Sequence, residues 1–288
     1  MALGEHGLPR FETVIYEVPA PNVARLVLNR PEARNAQNYQ LIYDLNSAFD
    51  HAAQDDGIKV IILAAAEPHF SSGHDLKEIR GYPETKPYRN FKAVSTWGGF
   101  DGAGPSSRYA REQEIYLQSI RRWRDLPKPT IAAVQGKCIA GGLMLAWACD
   151  LIVASEDASF CDPVVSVGVC GVEWFAHPWE LGPRKAKEML FTGASWSAEE
   201  ARQTGMVSHV VPRADLEAFT LRLAQTIATR PMFALRMTKE AVNRALDLMG
   251  QRAAIDHAFA LHHLAHAEAA YQGTDAAGRP ADQLLMKT

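Results

Sequence analysis

The sequence has few of the features that mark secreted, membrane-spanning or nucleic-acid-binding proteins. Its 288 residues include four cysteines without C-x-x-C spacing, a pattern that favours buried thiols over disulfides or metal ligands. No apolar run reaches the roughly 18 residues of a membrane span, and the first residues lack the basic and apolar regions of a signal peptide. Lys and Arg total 30 against 33 Asp and Glu, so the net charge of −3 gives no basic surface for nucleic acid. We therefore expect a cytoplasmic protein that binds neither membranes nor nucleic acid.

The hydropathy pattern alternates between strands and helices in the first half of the chain and is helical in the second half. Short β-branched runs separated by amphipathic stretches favour an α/β fold. In the helical half, Ser197 followed by Glu200 predicts a capped helix start. The predicted strands are 13–18, 23–28, 60–63, 130–134 and 151–154, and the predicted long helices are 216–229, 231–249 and 252–271.

Two of these strands lead through glycine into a predicted helix. The first turn is Phe-Ser-Ser-Gly-His-Asp-Leu-Lys at 70–77, and the second is Gly-Lys-Cys-Ile-Ala-Gly-Gly-Leu-Met at 136–144. The first N–H groups of a helix have no intrahelical partner and lie at the positive end of the helix dipole. Two such helix ends that face one point would form a hole for a developing oxyanion.

Six motifs in the same order resemble those of the crotonase (enoyl-CoA hydratase/isomerase) superfamily, from about Val14 to Ala270. Besides the two glycine turns they are Leu-Val-Leu-Asn-Arg-Pro at 26–31, Cys-Asp-Leu-Ile-Val-Ala at 149–154, Leu-Phe-Thr-Gly at 190–193 and Ala-Arg-Gln-Thr-Gly-Met-Val at 201–207. The resemblance implies a crotonase-like α/β fold of repeated ββα units with a helical C-terminal region. It also implies a core at 1–205, a helical trimerisation region at 206–288, and a homotrimer or dimer of trimers.

The resemblance further implies the substrate and the oxyanion hole. Members of the superfamily bind an acyl-CoA thioester, so coenzyme A enters as part of the substrate and no other cofactor is expected. Their thioester oxygen lies between two backbone amides, which correspond here to those of His74 and Gly141. Glycine suits the second position because it lets a ligand approach the backbone closely.

Four residues are candidates for contacts with coenzyme A. The carbonyl of Ser72 corresponds to the group that recognises the adenine amino group, and Lys77 corresponds to a lysine that meets the CoA phosphates. The superfamily's other basic position holds Glu32 here, and Arg30 and Arg34 are the candidates to replace it. The resemblance therefore implies CoA binding with an altered set of cations.

The two glutamates that hydratases of the superfamily use are missing. Their positions hold Met144 and Val164, which we expect to contact the substrate but which cannot move a proton. Hydration needs one group to activate water and a partner to hold it. The sequence therefore favours isomerisation or another proton transfer through one carboxylate. The alternative is an acyl-CoA-binding or scaffold protein that has kept the fold and lost the chemistry.

Three nearby side chains could supply the acid or base. Glu173 follows by one residue the position that carries the carboxylate of several isomerases, among apolar residues that should raise its pKa. Its alternative role is that of an acidic residue in the first turn of a helix. Asp162 precedes a proline and could instead organise a turn, and the imidazole of His74 can also move a proton near neutral pH. We favour Glu173.

Two further features leave alternatives open. Residues 81–108 form a long insertion with several prolines, glycines and aromatic residues, which is either an active-site lid or a variable surface loop. Four histidines cluster on the last predicted helix, and His262 and His266 have the i, i+4 spacing of metal ligands. No acidic third ligand accompanies them in the sequence, so we predict no metal site there and favour a polar contact between subunits.

Overall fold

The predicted α/β fold is confirmed by a computed structural model, which describes residues 8–80 and 91–271. Its strands are β1 (Val14–Ala20), β2 (Val23–Leu28), β3 (Val60–Ala65), β4 (Thr130–Val134), β5 (Lys137–Ile139), β6 (Leu151–Ser155), β7 (Ser159–Cys161), β8 (Trp196–Ser197) and β9 (His209–Val211). Its α-helices are α1 (Tyr39–Gln54), α2 (Leu76–Arg80), α3 (Pro105–Glu112), α4 (Ser119–Arg124), α5 (Gly141–Trp147), α6 (His177–Leu181), α7 (Pro183–Thr192), α8 (Ala198–Thr204), α9 (Leu216–Ala228), α10 (Met232–Leu248) and α11 (Gln251–Tyr271). None of these helices is long and apolar enough to cross a membrane.

The main sheet has six strands in the order β1-β2-β3-β4-β6-β9. Only β1 and β2 pair in antiparallel fashion, and the other neighbouring strands are parallel. The central strands β3 and β4 read as continuous apolar runs because helices cover both faces of a parallel sheet. The strand β9 lies after residue 205. The region that we predicted to be helical therefore also contributes the last strand of the main sheet.

A second, smaller sheet holds β5, β7 and β8, and its first strand, β5, follows β4 along the chain. The strand β5 pairs in parallel with β7, and β7 pairs in antiparallel with β8. An isolated parallel bridge joins Ser71, in the first glycine turn, to Cys138 in β5. This bridge connects the turn that follows β3 to the turn that precedes α5, and it therefore positions the site.

The C-terminal helices cover the two sides of this core. The buried residues of α9 recur every four positions, so one face of the helix packs on the main sheet: Leu216, Thr220, Ala224 and Ala228. Helix α11 instead packs against α3 and α10. The predicted start of α8 is confirmed, since Ser197 and Glu200 form a capping box.

Candidate active site

The two glycine turns run side by side through backbone hydrogen bonds. The amide of Ser71 donates to the carbonyl of Lys137 at 3.1 Å, and the amide of Ile139 donates to the carbonyl of Ser71 at 3.0 Å. A Cβ atom at Gly142 would lie 2.7 Å from that Ser71 carbonyl oxygen. Glycine therefore allows the second turn to pack directly on the backbone of the first.

The amides of His74 and Gly141 lie where the two turns touch. Gly73 has a φ of +86°, and a Cβ there would lie 3.1 Å from the Gly141 nitrogen, so a side chain at this position would separate the turns. The backbone of Gln37 bonds to the Gly73 carbonyl and the Asp75 amide, and the His74 amide between them takes no part in this bridge. Gly141 opens α5, where amides lack intrahelical partners. Among the described residues, neither amide donates a backbone hydrogen bond.

The His74 side chain lies over the second turn. Its ring stacks on Tyr116 with a centroid separation of 3.8 Å and an interplanar angle of 11°. Tyr116 belongs to a short π-helical segment, Gln113–Gln118, a kind of distortion that often occurs at functional sites. A Cβ at Gly141 would lie 2.7 Å from Cδ2 and 2.8 Å from Nε2 of His74. The imidazole therefore forms part of the wall beside the candidate oxyanion hole.

Glu173 reaches the same wall from a loop between a 3₁₀ turn (Val164–Val167) and α6. Its side chain is only 2 % exposed, and its Oε2 atom lies 3.5 Å from Nε2 of His74 without a hydrogen-bond partner. Burial raises the pKa of the Glu173 carboxyl, while the nearby His74 and His262 oppose the rise. Because the segment is not helical, the one-residue offset seen in the sequence does not turn the carboxylate away.

Gln37 completes a group of polar side chains around Gly141. It is 1 % exposed, and neither its amide nitrogen nor its amide oxygen has a hydrogen-bond partner. Its Oε1 would lie 3.0 Å from a Cβ at Gly141, next to the His74 ring. An unpaired buried amide costs about 1–3 kcal/mol, so Gln37 is a candidate to contact a bound molecule.

Asp162 is buried away from these groups in a network of its own. Its Oδ2 lies 2.9 Å from Nε2 of His177, and both side chains are fully buried. The carboxylate also accepts hydrogen bonds from the amides of Val164 at 3.3 Å and Val172 at 3.2 Å. The carboxylate therefore spans the loop that carries Glu173 and fixes both of its ends.

Comparison with known proteins identifies the scaffold that carries this geometry. The family model for enoyl-CoA hydratase/isomerase matches residues 20–98 and 99–277. The chain belongs to the enoyl-CoA hydratase/isomerase family. The predicted crotonase resemblance is thereby confirmed, as is the assignment to acyl-CoA enzymes of this family.

Three relatives show how far the similarity extends. A Mycobacterium tuberculosis protein, named provisionally as an enoyl-CoA hydratase, is 45 % identical over 259 residues, 89 % of this chain and 81 % of its own length. A crystal structure of a Mycobacterium smegmatis protein with the same provisional name is 48 % identical with a TM-score of 0.80, and the match covers 90 % of this chain and 96 % of that one. An enoyl-CoA hydratase/isomerase structure from Xanthobacter autotrophicus Py2 is 32 % identical with a TM-score of 0.77, covering 91 % and 94 %.

The residues expected at coenzyme A lie around the first turn of this family member. Ser72 donates its amide to the Arg34 carbonyl at 3.0 Å, and Lys77 is exposed on α2. Arg34 is exposed, whereas Arg30 is held by an ion pair with Asp75 at 2.9 Å. Lys77 and Arg34 are therefore freer than Arg30 to reach a phosphate.

The two positions where the resemblance implies glutamate, Met144 and Val164, lie on α5 and on the 3₁₀ turn. Met144 is fully buried in α5, and its sulfur accepts the amide of Trp174 at 3.3 Å. Val164 is half-buried at the start of the 3₁₀ turn. Met144 thus contacts the loop beside Glu173.

The described part of the insertion packs on the core, whereas residues 81–90 lie outside the described residues. The Phe91 ring stacks on Tyr43 with a centroid separation of 4.4 Å. Buried Glu114, at the start of the π-helical segment, accepts the amide of Val94 at 2.7 Å. A role as a lid stays a prediction.

Sequence reasoning missed Gln37, Tyr116 and Glu112. Gln37 lies six residues after the motif at 26–31, and no periodic pattern marks it as buried. Tyr116 meets the His74 ring from a π-helical segment, whose register the sequence does not reveal. Glu112 is distant in sequence from the histidines that it meets, since Oε2 of Glu112 lies 3.4 Å from Nε2 of His262. An acidic group thus does accompany the histidine cluster, contrary to the impression from the sequence.

Proposed function

We propose that this family member moves a proton on an acyl-CoA thioester, with isomerisation favoured over hydration. The thioester oxygen would bind the amides of His74 and Gly141, and the Glu173 carboxylate would take and return the proton. The observation that carries the proposal is the position of Glu173. Its unpartnered Oε2 lies 3.5 Å from the imidazole that covers Gly141.

The proposed chemistry divides between backbone and side chain. Removing a proton from the carbon beside a thioester moves negative charge onto the thioester oxygen, and each well-placed N–H donor there is worth about 10²–10³ in rate. Burial raises the pKa of Glu173 above its ordinary value, which makes the carboxylate a stronger base for taking the proton. A single carboxylate suffices when it takes a proton from one carbon and delivers a proton to another.

Ordinary hydration has less support. Neither Met144 nor Val164 can activate water, and loss of an acid or base group costs about 10²–10⁴-fold. The amide of Gln37 can hold a water molecule or a polar part of the acyl group, but it cannot remove a proton. Asp162 is the other carboxylate close in sequence, and its bonds to His177 and two amides support a structural role.

Coenzyme A would bind across the first turn. We propose that the Ser72 carbonyl meets the adenine and that Lys77 and Arg34 meet the phosphates. Their exposure next to the turn supports this set, while the ion pair of Arg30 with Asp75 supports a role in holding the turn. The assignment of Glu173 does not depend on the roles proposed for Ser72, Lys77 and Arg34.

The assembly and the domain division also remain proposals. We propose a homotrimer or dimer of trimers built through the region after residue 205, with the core before it. Helix α10 exposes large apolar side chains that support a subunit contact: Phe233, Met237 and Val242, followed by Leu248 and Met249. The cytoplasmic location stays a prediction from composition.

The rival function is binding of an acyl-CoA without turnover. The absence of glutamate at positions 144 and 164 favours it. The unpartnered Oε2 of Glu173 favours catalysis instead, because a protein that only binds the thioester gains nothing from burying a carboxylate oxygen without a partner.

The deciding experiment measures proton transfer without requiring the natural substrate. Acyl-CoA thioesters incubated in D₂O should gain deuterium at the carbon beside the carbonyl, as followed by NMR. The substitution Glu173→Gln keeps size and hydrogen bonding, and it should slow this exchange by at least about 10²-fold with little change in thioester affinity.

Glu180→Gln is the matched control. Burial also raises the pKa of Glu180, to about 7, but Glu180 lines a cavity that Glu173 does not line. Glu180→Gln should leave exchange unchanged. Tight thioester binding with no exchange in the unmodified protein would favour the rival function. An equal rate in Glu173→Gln would remove Glu173 from the mechanism.

A further inference from the structure

Three side chains from two helices converge at one point between α3 and α11. Glu112 is the last residue of α3, whereas His262 and His266 are four residues apart on α11. Their two Nε2 atoms are 3.0 Å apart, and Oε2 of Glu112 lies 3.4 Å from Nε2 of His262. One ligand atom from each of the three side chains lies within 4.8 Å of the other two. Glu112 therefore supplies the acidic ligand that the sequence around the histidines lacks.

We propose that Glu112, His262 and His266 form a zinc site that joins α11 to α3. The inference goes beyond the proposed function and does not depend on proton transfer by Glu173. Zinc takes nitrogen and oxygen ligands at about 2.0–2.2 Å in tetrahedral geometry, which places two ligand atoms of one ion about 3.3–3.6 Å apart. The separations of 3.0 Å and 3.4 Å are close to this value, so small side-chain adjustments suffice.

The surroundings of His262 match those of a metal-bound imidazole. Its ring is buried, and its Nδ1 lies 2.8 Å from the carbonyl oxygen of Gly171. Because a carbonyl only accepts, Nδ1 carries the proton and Nε2 offers a lone pair. A zinc-bound histidine usually donates its second N–H to such an acceptor, which fixes the tautomer and the orientation of the ring. The neutral form of His262 is therefore already arranged to bind a metal.

The carboxylate of Glu112 points to the same conclusion. Its Oε2 atom is buried and has no hydrogen-bond partner among the described residues. A buried carboxylate oxygen is costly unless it is paired or binds a metal. Nε2 of His263 lies 3.2 Å from this oxygen and can donate to it, as the groups around a metal-bound carboxylate commonly do.

Arg108 competes with the metal for His266. Its guanidinium lies 2.9 Å from Nδ1 of His266, and because a guanidinium only donates, Nδ1 accepts and Nε2 carries the proton. That proton points at Nε2 of His262, where zinc would bind. Zinc binding therefore moves the proton of His266 from Nε2 to Nδ1 and displaces the Arg108 side chain. Arg108 is half-buried, so its side chain can turn toward solvent.

The alternative is a polar network with no metal. Hydrogen bonds from Arg108 through His266 and His262 to the Gly171 carbonyl would then be the whole role of the cluster. This network leaves Oε2 of Glu112 without a hydrogen bond, whereas a zinc ion satisfies that oxygen together with both imidazoles. The two explanations predict opposite effects of removing Arg108.

The position of the site gives it a structural role. Nε2 of His262 lies 3.8 Å from Oε1 of Glu173, and Glu112 directly precedes the π-helical segment that carries Tyr116. An ion bound here would hold α11 against the elements that carry Glu173 and Tyr116.

The first test measures zinc binding to the full chain without an affinity tag, after dialysis against a chelator. Calorimetry should show one zinc ion per chain, and cobalt in its place should give the visible absorption of a tetrahedral site. Glu112→Gln and His262→Asn each remove one ligand and should weaken zinc binding by at least about 10²-fold. His257 is exposed on the same helix, so His257→Asn is the matched control and should leave the affinity unchanged.

The second test has the opposite sign. Arg108→Gln removes the competing cation and offers an amide oxygen to the Nδ1–H of His266, so zinc affinity should rise by at least about tenfold. Arg122→Gln, at an exposed arginine outside the cluster, is the matched control. Because Arg108→Gln removes no ligand, it also keeps the proposal testable if His262→Asn does not fold.

Two results would overturn the inference. Zinc binding that survives both ligand substitutions would be adventitious binding at the surface. Unchanged or weaker binding in Arg108→Gln would assign the cluster to the polar network. In support, zinc should raise the melting temperature of the unmodified protein but not that of Glu112→Gln. None of these measurements uses a thioester, so they stand whether or not Glu173 transfers a proton.

Discussion

The two halves of the candidate site differ in what they are made of. The oxyanion half is backbone: the amides of His74 and Gly141, aligned by hydrogen bonds between turns and by glycines too tightly packed to accept a Cβ. The acid–base half is side chain: Glu173, Gln37 and the His74 ring meet from a loop, a strand bridge and a turn. The backbone half needs only two glycine turns that lie side by side, whereas the side-chain half brings several separate segments together.

This difference predicts how each half responds to substitution. Backbone donors survive most side-chain changes because no side chain supplies them. Buried side chains without partners, such as Gln37, are kept at a cost in stability and should be informative when removed. Variants that act on one half only can therefore separate the two contributions.

The largest effect is expected from removing one backbone donor. Gly141→Pro takes away the N–H but suits the first position of helix α5. Proton transfer should fall by about 10²–10³-fold, as measured by deuterium exchange.

Gly141→Ala is the control, since it adds the same Cβ against the His74 ring and keeps the donor. His74→Ala, which retains its backbone amide, should preserve thioester binding. If Gly141→Pro and Gly141→Ala lose equal activity, crowding explains the loss and the oxyanion hole does not.

An intermediate effect is expected at Asp162, in stability and not in chemistry. Asp162→Asn breaks a fully buried pair with His177, and removal of one partner of such a pair costs about 3 kcal/mol or more. Chemical denaturation should show this loss, while the exchange rate of the folded protein changes less than about tenfold.

The exposed pair of Asp157 and Arg213 provides the comparison. Asp157→Asn should cost no more than about 1 kcal/mol. If the Asp162→Asn protein is as stable as the unmodified protein but no longer transfers a proton, Asp162 belongs to the acid–base half and not to the scaffold.

The smallest effect is expected at Gln37, with opposite signs for function and stability. Gln37→Leu removes an unsatisfied buried amide, so the free energy of unfolding should rise by about 1 kcal/mol. Affinity for a thioester should fall about tenfold if the amide contacts the bound molecule, as calorimetry would measure.

Gln135 offers a matched control because its buried amide already donates to the Ala65 carbonyl at 2.7 Å. Gln135→Leu should lower stability and leave affinity unchanged. A Gln37→Leu protein that is less stable would mean that the amide has a partner within the fold.

Much of the fold was readable from local patterns. The strands at 23–28 and 130–134 and the capping box of Ser197 lie where the sequence predicted them, because periodicity, β-branching and capping act over a few residues. The last strand, His209–Val211, was missed because three residues are too few to show alternation.

In the candidate site, too, local features were predictable from the sequence and contacts between distant residues were not. Sequence alone determined the two glycine turns and hence the positions of the His74 and Gly141 amides, since close approach of backbone requires glycine at fixed places. Only the tertiary structure decided that Gln37 faces Gly141, that Tyr116 supports the His74 ring, and that α11 brings His262 to Glu173. Those contacts join residues up to 104 positions apart, as for Gln37 and Gly141, and no local pattern can encode a distance that arises only when the chain is packed.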